Sequence, residues 1–125
     1  MSQAEDSLAQ LLRTTGVEWE REHRFAAHHV GMGDGIRARL KAAGFRDWRF
    51  DFAWCEGMLA VEVEGGGWVG GRHVQGRGFE SDLRKYDAAA RLGWTVYRCS
   101  PAMVRDGTAI ETIRRMVDAY REHGG

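Results

Sequence analysis

Cysteine is scarce in this sequence, and long apolar runs are missing. Cys55 and Cys99 are too few for the disulfide framework that small exported domains need. No stretch approaches the roughly 18 consecutive apolar residues that a membrane-spanning helix requires. The first ten residues include Glu5 and Asp6 and lack the basic and apolar regions of a signal peptide. We therefore expect a cytoplasmic protein.

Net charge is absent as well, because 18 basic and 18 acidic residues cancel. A neutral chain does not by itself indicate a nucleic-acid partner. The bases are unevenly placed, however: residues 36–49 carry a net charge of +4, and residues 72–85 carry +2. These segments are compatible with one basic face or with ordinary solvated helix surfaces, and charge alone does not choose between them.

The length of 125 residues fits a single domain, residues 1–125, with its own core. Hydrophobic periodicity and turn residues predict four helices and four strands in the order α-β-α-β-β-α-β-α. This order is typical of an α/β domain with a mixed central sheet flanked by helices. A basic helical insertion at about 34–44 and a glycine-rich loop at 65–78 interrupt it. The predicted helices span 2–14, 35–43, 79–92 and 108–123, and the predicted strands span 17–25, 46–54, 58–64 and 94–99.

Three acidic residues fall on the two central strands. Asp51 lies on the first strand, and Glu62 and Glu64 lie on the second, which is otherwise apolar. If the turn at 55–57 joins these strands as a hairpin, the three carboxylates converge on one face. Carboxylates on such a strand are costly to bury without a cation, and hard oxygen ligands suit Mg²⁺ or Mn²⁺ better than zinc. The alternative is that the acids lie on a solvated face.

The spacing from Asp51 to Glu62-Val63-Glu64 resembles the PD-(D/E)XK nuclease signature. Further runs resemble small, often phage-encoded endonucleases, and this likeness extends over residues 4–116. The N-terminal helix, with Glu5, resembles the first helix of archaeal-type Holliday-junction resolvases. The runs that carry the likeness are 48–54, 59–66, 71–73, 78–80, Asp82, 85–86 and 93–94.

The resemblance implies a restriction-endonuclease-like fold and a Mg²⁺-dependent DNA endonuclease, in which Mn²⁺ substitutes, in a phage-infected or bacterial cytosol. Asp51, Glu62 and the backbone carbonyl of Val63 would hold the metal, and Glu5 would reach the site from its helix. Mismatch-nicking or restriction-like enzymes of the same fold remain alternatives, as does a catalytically inactive nucleic-acid-binding relative.

One position departs from the family pattern, because Glu64 stands where the family has a lysine. A glutamate there can hold a second ion or accept a proton from water. Lys85, on the following helix, is a candidate to replace the lysine, or else an ordinary solvated lysine. His73 and Gln75, in the glycine-rich loop, are candidate phosphate contacts or loop surface.

Basic residues are expected to follow the DNA backbone through contacts that weaken with salt. The absence of an obvious base-reading module favours branched DNA, and two symmetric cuts would require a homodimer. Trp54, Trp68 and the last helix are candidate dimer surfaces. The candidate DNA contacts are Arg37, Arg39, Lys41, Arg72 and Arg77.

Two other kinds of site are less favoured. Residues 65–70 fit the G-x-G-x-x-G dinucleotide pattern, but no helix is predicted to begin directly after them, as that pattern requires. The histidines (His23, His28, His29, His73) and the two cysteines show no recognisable zinc-ligand spacing. The sequence therefore predicts neither a nucleotide site nor a zinc site.

Overall fold

The computed structural model describes residues 2–65, 68–69, 72–73 and 77–123. In this part of the chain no helix is long and apolar enough to cross a membrane. Besides a short 3₁₀ turn at Arg13–Thr15, the helices are α1 (Gln3–Leu12), α2 (Phe25–Val30), α3 (Ile36–Ala43), α4 (Arg77–Arg91), α5 (Pro101–Arg105) and α6 (Thr108–Glu122).

A four-stranded mixed sheet forms the centre, in the order β1-β2-β3-β6. β2 pairs antiparallel with both β1 and β3, and β3 pairs parallel with β6. A separate two-stranded ribbon joins β4 to β5. The strands are β1 (Glu20–His23), β2 (Phe50–Trp54), β3 (Leu59–Val63), β4 (Trp68–Val69), β5 (Arg72–His73) and β6 (Thr95–Cys99).

Helices cover both faces of the sheet. On one face α1, α5 and α6 pack against Phe52, Trp54, Leu59 and Val61. On the other face α2, α3 and α4 pack against Phe50, Ala53 and Ala60. The predicted α/β class, a mixed sheet flanked by helices, is confirmed.

Several local predictions are wrong in detail. The strand predicted over 17–25 is limited to Glu20–His23, because Phe25 begins a buried helix and stacks on Phe50 with ring centroids 4.0 Å apart. Alternation along the predicted strand 46–54 places Phe50 on the same face as Phe52 and Trp54, yet Phe50 packs in the opposite core cluster. Pro101 does not simply interrupt the chain. It opens α5 behind the capping residue Ser100, since a proline fits the first turn of a helix.

Helical spacing predicts an apolar stripe of Phe79, Leu83, Tyr86 and Ala90 along α4, and this prediction is also wrong. Phe79 and Leu83 are 43% and 50% exposed, whereas Ala88 and Ala89 are buried against the sheet. The helix is rotated relative to the prediction, so that the half-buried Lys85 and Tyr86 also face inward. This rotation decides which side chains reach the acids of β3.

Two further expectations need correction. Asp34, a residue type common at helix N-caps, is predicted from the sequence to cap α3, but Gly35 precedes the helix with a left-handed φ of 83°, and no side chain caps it. Trp54 was expected to be an exposed dimer surface, but it is 3% exposed in the core. Trp68 belongs to β4, and its side chain lies outside the described residues. The apolar face of α6 is buried in the core through Ile110, Ile113 and Val117.

Candidate active site

Asp51 and Glu62 lie opposite one another on the central hairpin. The register pairs Phe52 with Val61, so the next position along pairs Asp51 with Glu62. The Asp51 amide donates a hydrogen bond to Oε2 of Glu62 at 2.8 Å, and the Val63 amide donates to Oδ2 of Asp51 at 2.8 Å. Each carboxylate thus accepts a backbone hydrogen bond from the neighbouring strand. The sequence predicts that three carboxylates converge, and two of them, Asp51 and Glu62, occupy facing positions on this hairpin.

Glu62 is buried, with 4% of its surface exposed, and two side chains of α4 contact its carboxylate. Nζ of Lys85 lies 2.5 Å from Oε1 of Glu62, and the Tyr86 hydroxyl donates to the same oxygen at 2.7 Å. A buried carboxylate is tolerated when it is paired and hydrogen-bonded in this way. The helix rotation described above places Lys85 against Glu62, where the sequence analysis expected a substitute lysine.

Glu64 is exposed, and it shares Tyr86 with Glu62 but pairs with an arginine instead of Lys85. Nε of Arg98 on β6 donates to Oε1 of Glu64 at 2.7 Å, and the Tyr86 hydroxyl lies 3.0 Å from the same oxygen. The Arg98 guanidinium also lies 4.5 Å from the centre of the Tyr86 ring. Among the described residues, the ligand atoms of Asp51, Glu62 and Glu64 do not form a group within 4.8 Å of one another. Glu64 faces Arg98 and Tyr86.

The carboxyl group of Asp51 has a pKa raised from 3.8 to about 6. Burial is the main cause, and the negative charges of Glu62 and Glu5 add to it, while the Val63 amide and the Lys85 ammonium act in the opposite direction. Glu5 on α1 is therefore close enough to contribute to the electrostatics of this site. A half-buried acid among other acids is a group that a bound cation would stabilise.

Tyr86 and Arg98 are the residues of this cluster that the sequence analysis missed. Helical spacing assigned Tyr86 to the apolar stripe of α4. Nothing in the sequence indicated that its hydroxyl would contact the acids at the end of β3. Arg98 reaches the site because β3 and β6 run parallel with Glu62 paired to Arg98. Spacing along the sequence carries no information about that pairing.

The predicted DNA contacts differ in their surroundings in the structure. Arg37 and Lys41 are exposed on α3. The guanidinium of Arg39 instead donates to the backbone carbonyls of Gly31, Met32 and Asp34, so it holds the preceding loop. Of the remaining predicted residues, Gln75 and the side chains of Arg72, His73 and Arg77 lie outside the described residues.

No family model and no curated protein matches the sequence. The fold is similar to a solved structure described as the catalytic domain of the homing endonuclease I-Bth0305I, with a TM-score of 0.62. The two chains are 16% identical, and the alignment covers 96% of this chain and 98% of that one. This likeness over nearly the whole length supports the assigned α/β fold.

Proposed function

We propose that this protein is a metal-dependent DNA endonuclease. The observation that carries the proposal is the buried carboxylate of Glu62, which faces Asp51 and contacts the ammonium of Lys85. A carboxylate pair next to a lysine is the combination that phosphodiester hydrolysis uses for metal binding and charge stabilisation. The structural neighbour, a homing endonuclease catalytic domain, supports the same assignment.

The donor set fits a hard divalent cation. Asp51 and Glu62 offer carboxylate oxygens, Glu5 adds negative charge nearby, and the raised pKa of Asp51 reflects a need for positive charge. Asp51, Glu62 and the carbonyl of Val63 would hold Mg²⁺, or Mn²⁺ in its place. When bound, such an ion lowers the pKa of a water and polarises a phosphate.

The remaining side chains of the cluster have distinct tasks in this proposal. Lys85 stabilises the negative charge that develops on the phosphate during attack, in place of the family lysine. Tyr86 holds Glu62 and Glu64 at a fixed separation through its hydroxyl. Glu64, paired with Arg98, orients the water or contributes to a second ion.

The proposed substrate is branched DNA, which two copies of the protein would cut symmetrically as a homodimer. Arg37 and Lys41 contact its phosphates. They lie on α3, which packs on the same face of the sheet as α4 with Lys85. Arg39 is left out of this set because its guanidinium is occupied by backbone carbonyls.

A cleavage assay on labelled linear duplex, flap, fork and four-way junction DNA tests the proposal. With Mg²⁺, Asp51→Asn or Glu62→Gln should lose cleavage by at least ~10³-fold while retaining DNA binding. Asp118→Asn, an exposed aspartate on α6, is the matched control and should cleave normally. Wild-type rates in both site variants would contradict the proposal.

Two further measurements separate the alternatives. Calorimetric titration with Mg²⁺ or Mn²⁺ should show binding to the wild type and weaker binding to Asp51→Asn. Absence of both metal binding and cleavage, with DNA binding retained, would indicate a catalytically inactive nucleic-acid-binding relative. Preference for mismatched or linear duplex over the junction would indicate a mismatch-nicking or restriction-like enzyme.

A further inference from the structure

Glu20, His23 and Cys55 form a second cluster of potential ligands. Oε2 of Glu20 lies 3.0 Å from Nδ1 of His23, and the Cys55 thiol donates to the same oxygen at 3.0 Å. Sγ of Cys55 lies 3.8–3.9 Å from the two ring nitrogens of His23. In the part of the chain that the structure describes, this is the group of three whose ligand atoms all lie within 4.8 Å of one another.

The contact between Glu20 and His23 requires a local break in β1. In a regular strand, residues three apart point to opposite faces of the sheet. Glu22, which lies between them, has a φ of +53°, in the left-handed region that non-glycine residues rarely adopt. This irregularity brings Glu20 and His23 to the same side. Backbone strain of this kind persists where the surrounding structure holds it, often at functional sites.

His23 is held in place by its surroundings. Its side chain is 7% exposed and packs between His28, with ring centroids 4.8 Å apart, and Trp94, at 5.5 Å. The direction of the ring nitrogens is therefore fixed before any ligand binds.

We propose that Glu20, His23 and Cys55 bind a divalent transition metal of the zinc type. One oxygen, one nitrogen and one sulfur ligand suit Zn²⁺, whereas Mg²⁺ prefers oxygen ligands alone. A tetrahedral zinc ion with bonds of about 2.0–2.3 Å places neighbouring ligand atoms about 3.3–3.6 Å apart. The observed separations of 3.0–3.9 Å bracket that range, so small side-chain movements complete the site.

The site is open to solvent on one side. Glu20 and Cys55 line a cleft of about 740 Å³, whose wall also includes Tyr120 and Arg121. A water or a small ligand can reach the fourth coordination position from this cleft. Cys55 lies in the turn that follows β2, four residues beyond Asp51. The proposed zinc site shares no residue with the proposed Mg²⁺ site.

A reactive thiol is a poorer explanation of the same cluster. The Cys55 thiol donates its proton to the Glu20 carboxylate, whose negative charge disfavours the nucleophilic thiolate. A bound cation has the opposite effect, and metal binding would release the thiol proton to solvent. The bound metal would join β1, an edge strand of the sheet, to the turn that follows β2.

Titration with Co²⁺ tests the proposal, because Co²⁺ accepts the ligands of Zn²⁺ and is visible by absorption. The wild type should develop a thiolate-to-cobalt charge-transfer band that Zn²⁺ then removes. Saturating Zn²⁺ should also raise the Tm of the wild type by roughly 5 °C or more. Cys55→Ser and Glu20→Gln change exposed side chains and should keep the fold, which circular dichroism checks.

Two control variants locate the site. Cys99→Ser alters the buried second cysteine, and Asp51→Asn alters the proposed Mg²⁺ site; both should retain the band. Cys55→Ser should abolish it, and Glu20→Gln should weaken Co²⁺ affinity by at least ~10-fold. A wild type without the band, or a band lost in Cys99→Ser and kept in Cys55→Ser, would overturn the proposal. Loss of DNA cleavage alone would not bear on it.

Discussion

At the scale of single residues, Asp51 destabilises the metal-free fold. Its pKa is about 6 in the folded chain, against 3.8 as the ordinary value, so the folded state binds this proton more tightly than the unfolded state does. The contribution of the protonated Asp51 carboxyl to the free energy of unfolding is present below about pH 4. It is lost as the pH rises toward 6 and beyond. At neutral pH the ionised carboxylate therefore lowers the free energy of unfolding.

Asp51→Asn should consequently stabilise the metal-free protein at pH 7.5 by about 1–2 kcal/mol, after allowance for the solvent screening of a half-buried group. At pH 4 most of that gain should disappear, because Asp51 is then protonated in the folded state. Urea denaturation with a chelator at the two pH values measures both. Asp118→Asn should change little at either pH, and an equal gain for Asp51→Asn at both values would contradict the argument.

A variant of Lys85 distinguishes two roles for its ammonium: stabilising charge in the proposed cleavage reaction, or only contacting the DNA phosphates. Its ammonium contacts Glu62, so Lys85→Ala should reduce the cleavage rate by ~10²-fold or more, with little change in DNA affinity. Single-turnover rates and binding constants measure the two effects. Arg84→Ala, an exposed neighbour on α4, serves as control and should cleave normally.

The opposite result would assign Lys85 a different role. If Lys85→Ala cleaves at the normal rate and binds DNA poorly, Lys85 is an ordinary phosphate contact. Removing the lysine also leaves Glu62 buried with one partner fewer, which costs stability. Lys85→Met, which keeps an unbranched apolar chain of similar length without the charge, is the second variant, and assays well below its Tm keep folding separate from catalysis.

At the scale of elements, the orientation of α4 determines the site. The hairpin that joins Asp51 to Glu62 could be predicted from the sequence, because alternation and a turn are local signals. The rotation of α4 could not, since the larger apolar residues Phe79 and Leu83 are exposed while alanines pack on the sheet. The parallel pairing that brings Arg98 to Glu64, and the left-handed Glu22 that aligns Glu20 with His23, are likewise outcomes of tertiary packing.

Tyr86 connects α4 to β3 through one hydroxyl, and its contribution can be measured. Tyr86→Phe should lower the free energy of unfolding by about 1–2 kcal/mol, because a charged, buried acceptor loses a donor. Tyr97→Phe is the matched control: its hydroxyl is buried and has no hydrogen-bond partner among the described residues. That substitution should be neutral or stabilising, and equal losses in the two variants by urea denaturation would contradict the proposed link.

At the scale of the whole molecule, zero net charge means that the proposed DNA binding depends on where the basic residues lie. Arg37 and Lys41 are exposed on α3, on the same side of the sheet as α4, whereas Arg114 and Arg115 lie on α6, on the opposite side. A basic surface on the same side of the sheet as Lys85 would attract phosphates toward the proposed active site. The far side would contribute little.

The salt dependence of DNA binding tests this arrangement. Each phosphate contact adds about 0.9 to the slope of log affinity against log salt for duplex DNA, so Arg37→Ala with Lys41→Ala should reduce its magnitude by about 1.8. Single-turnover cleavage at saturating protein should remain nearly unchanged, because these side chains bind the backbone and not the reacting group. Arg114→Ala with Arg115→Ala removes the same charge from α6 and should leave the slope unaltered. A larger change in that control pair would place the DNA on the other face of the sheet.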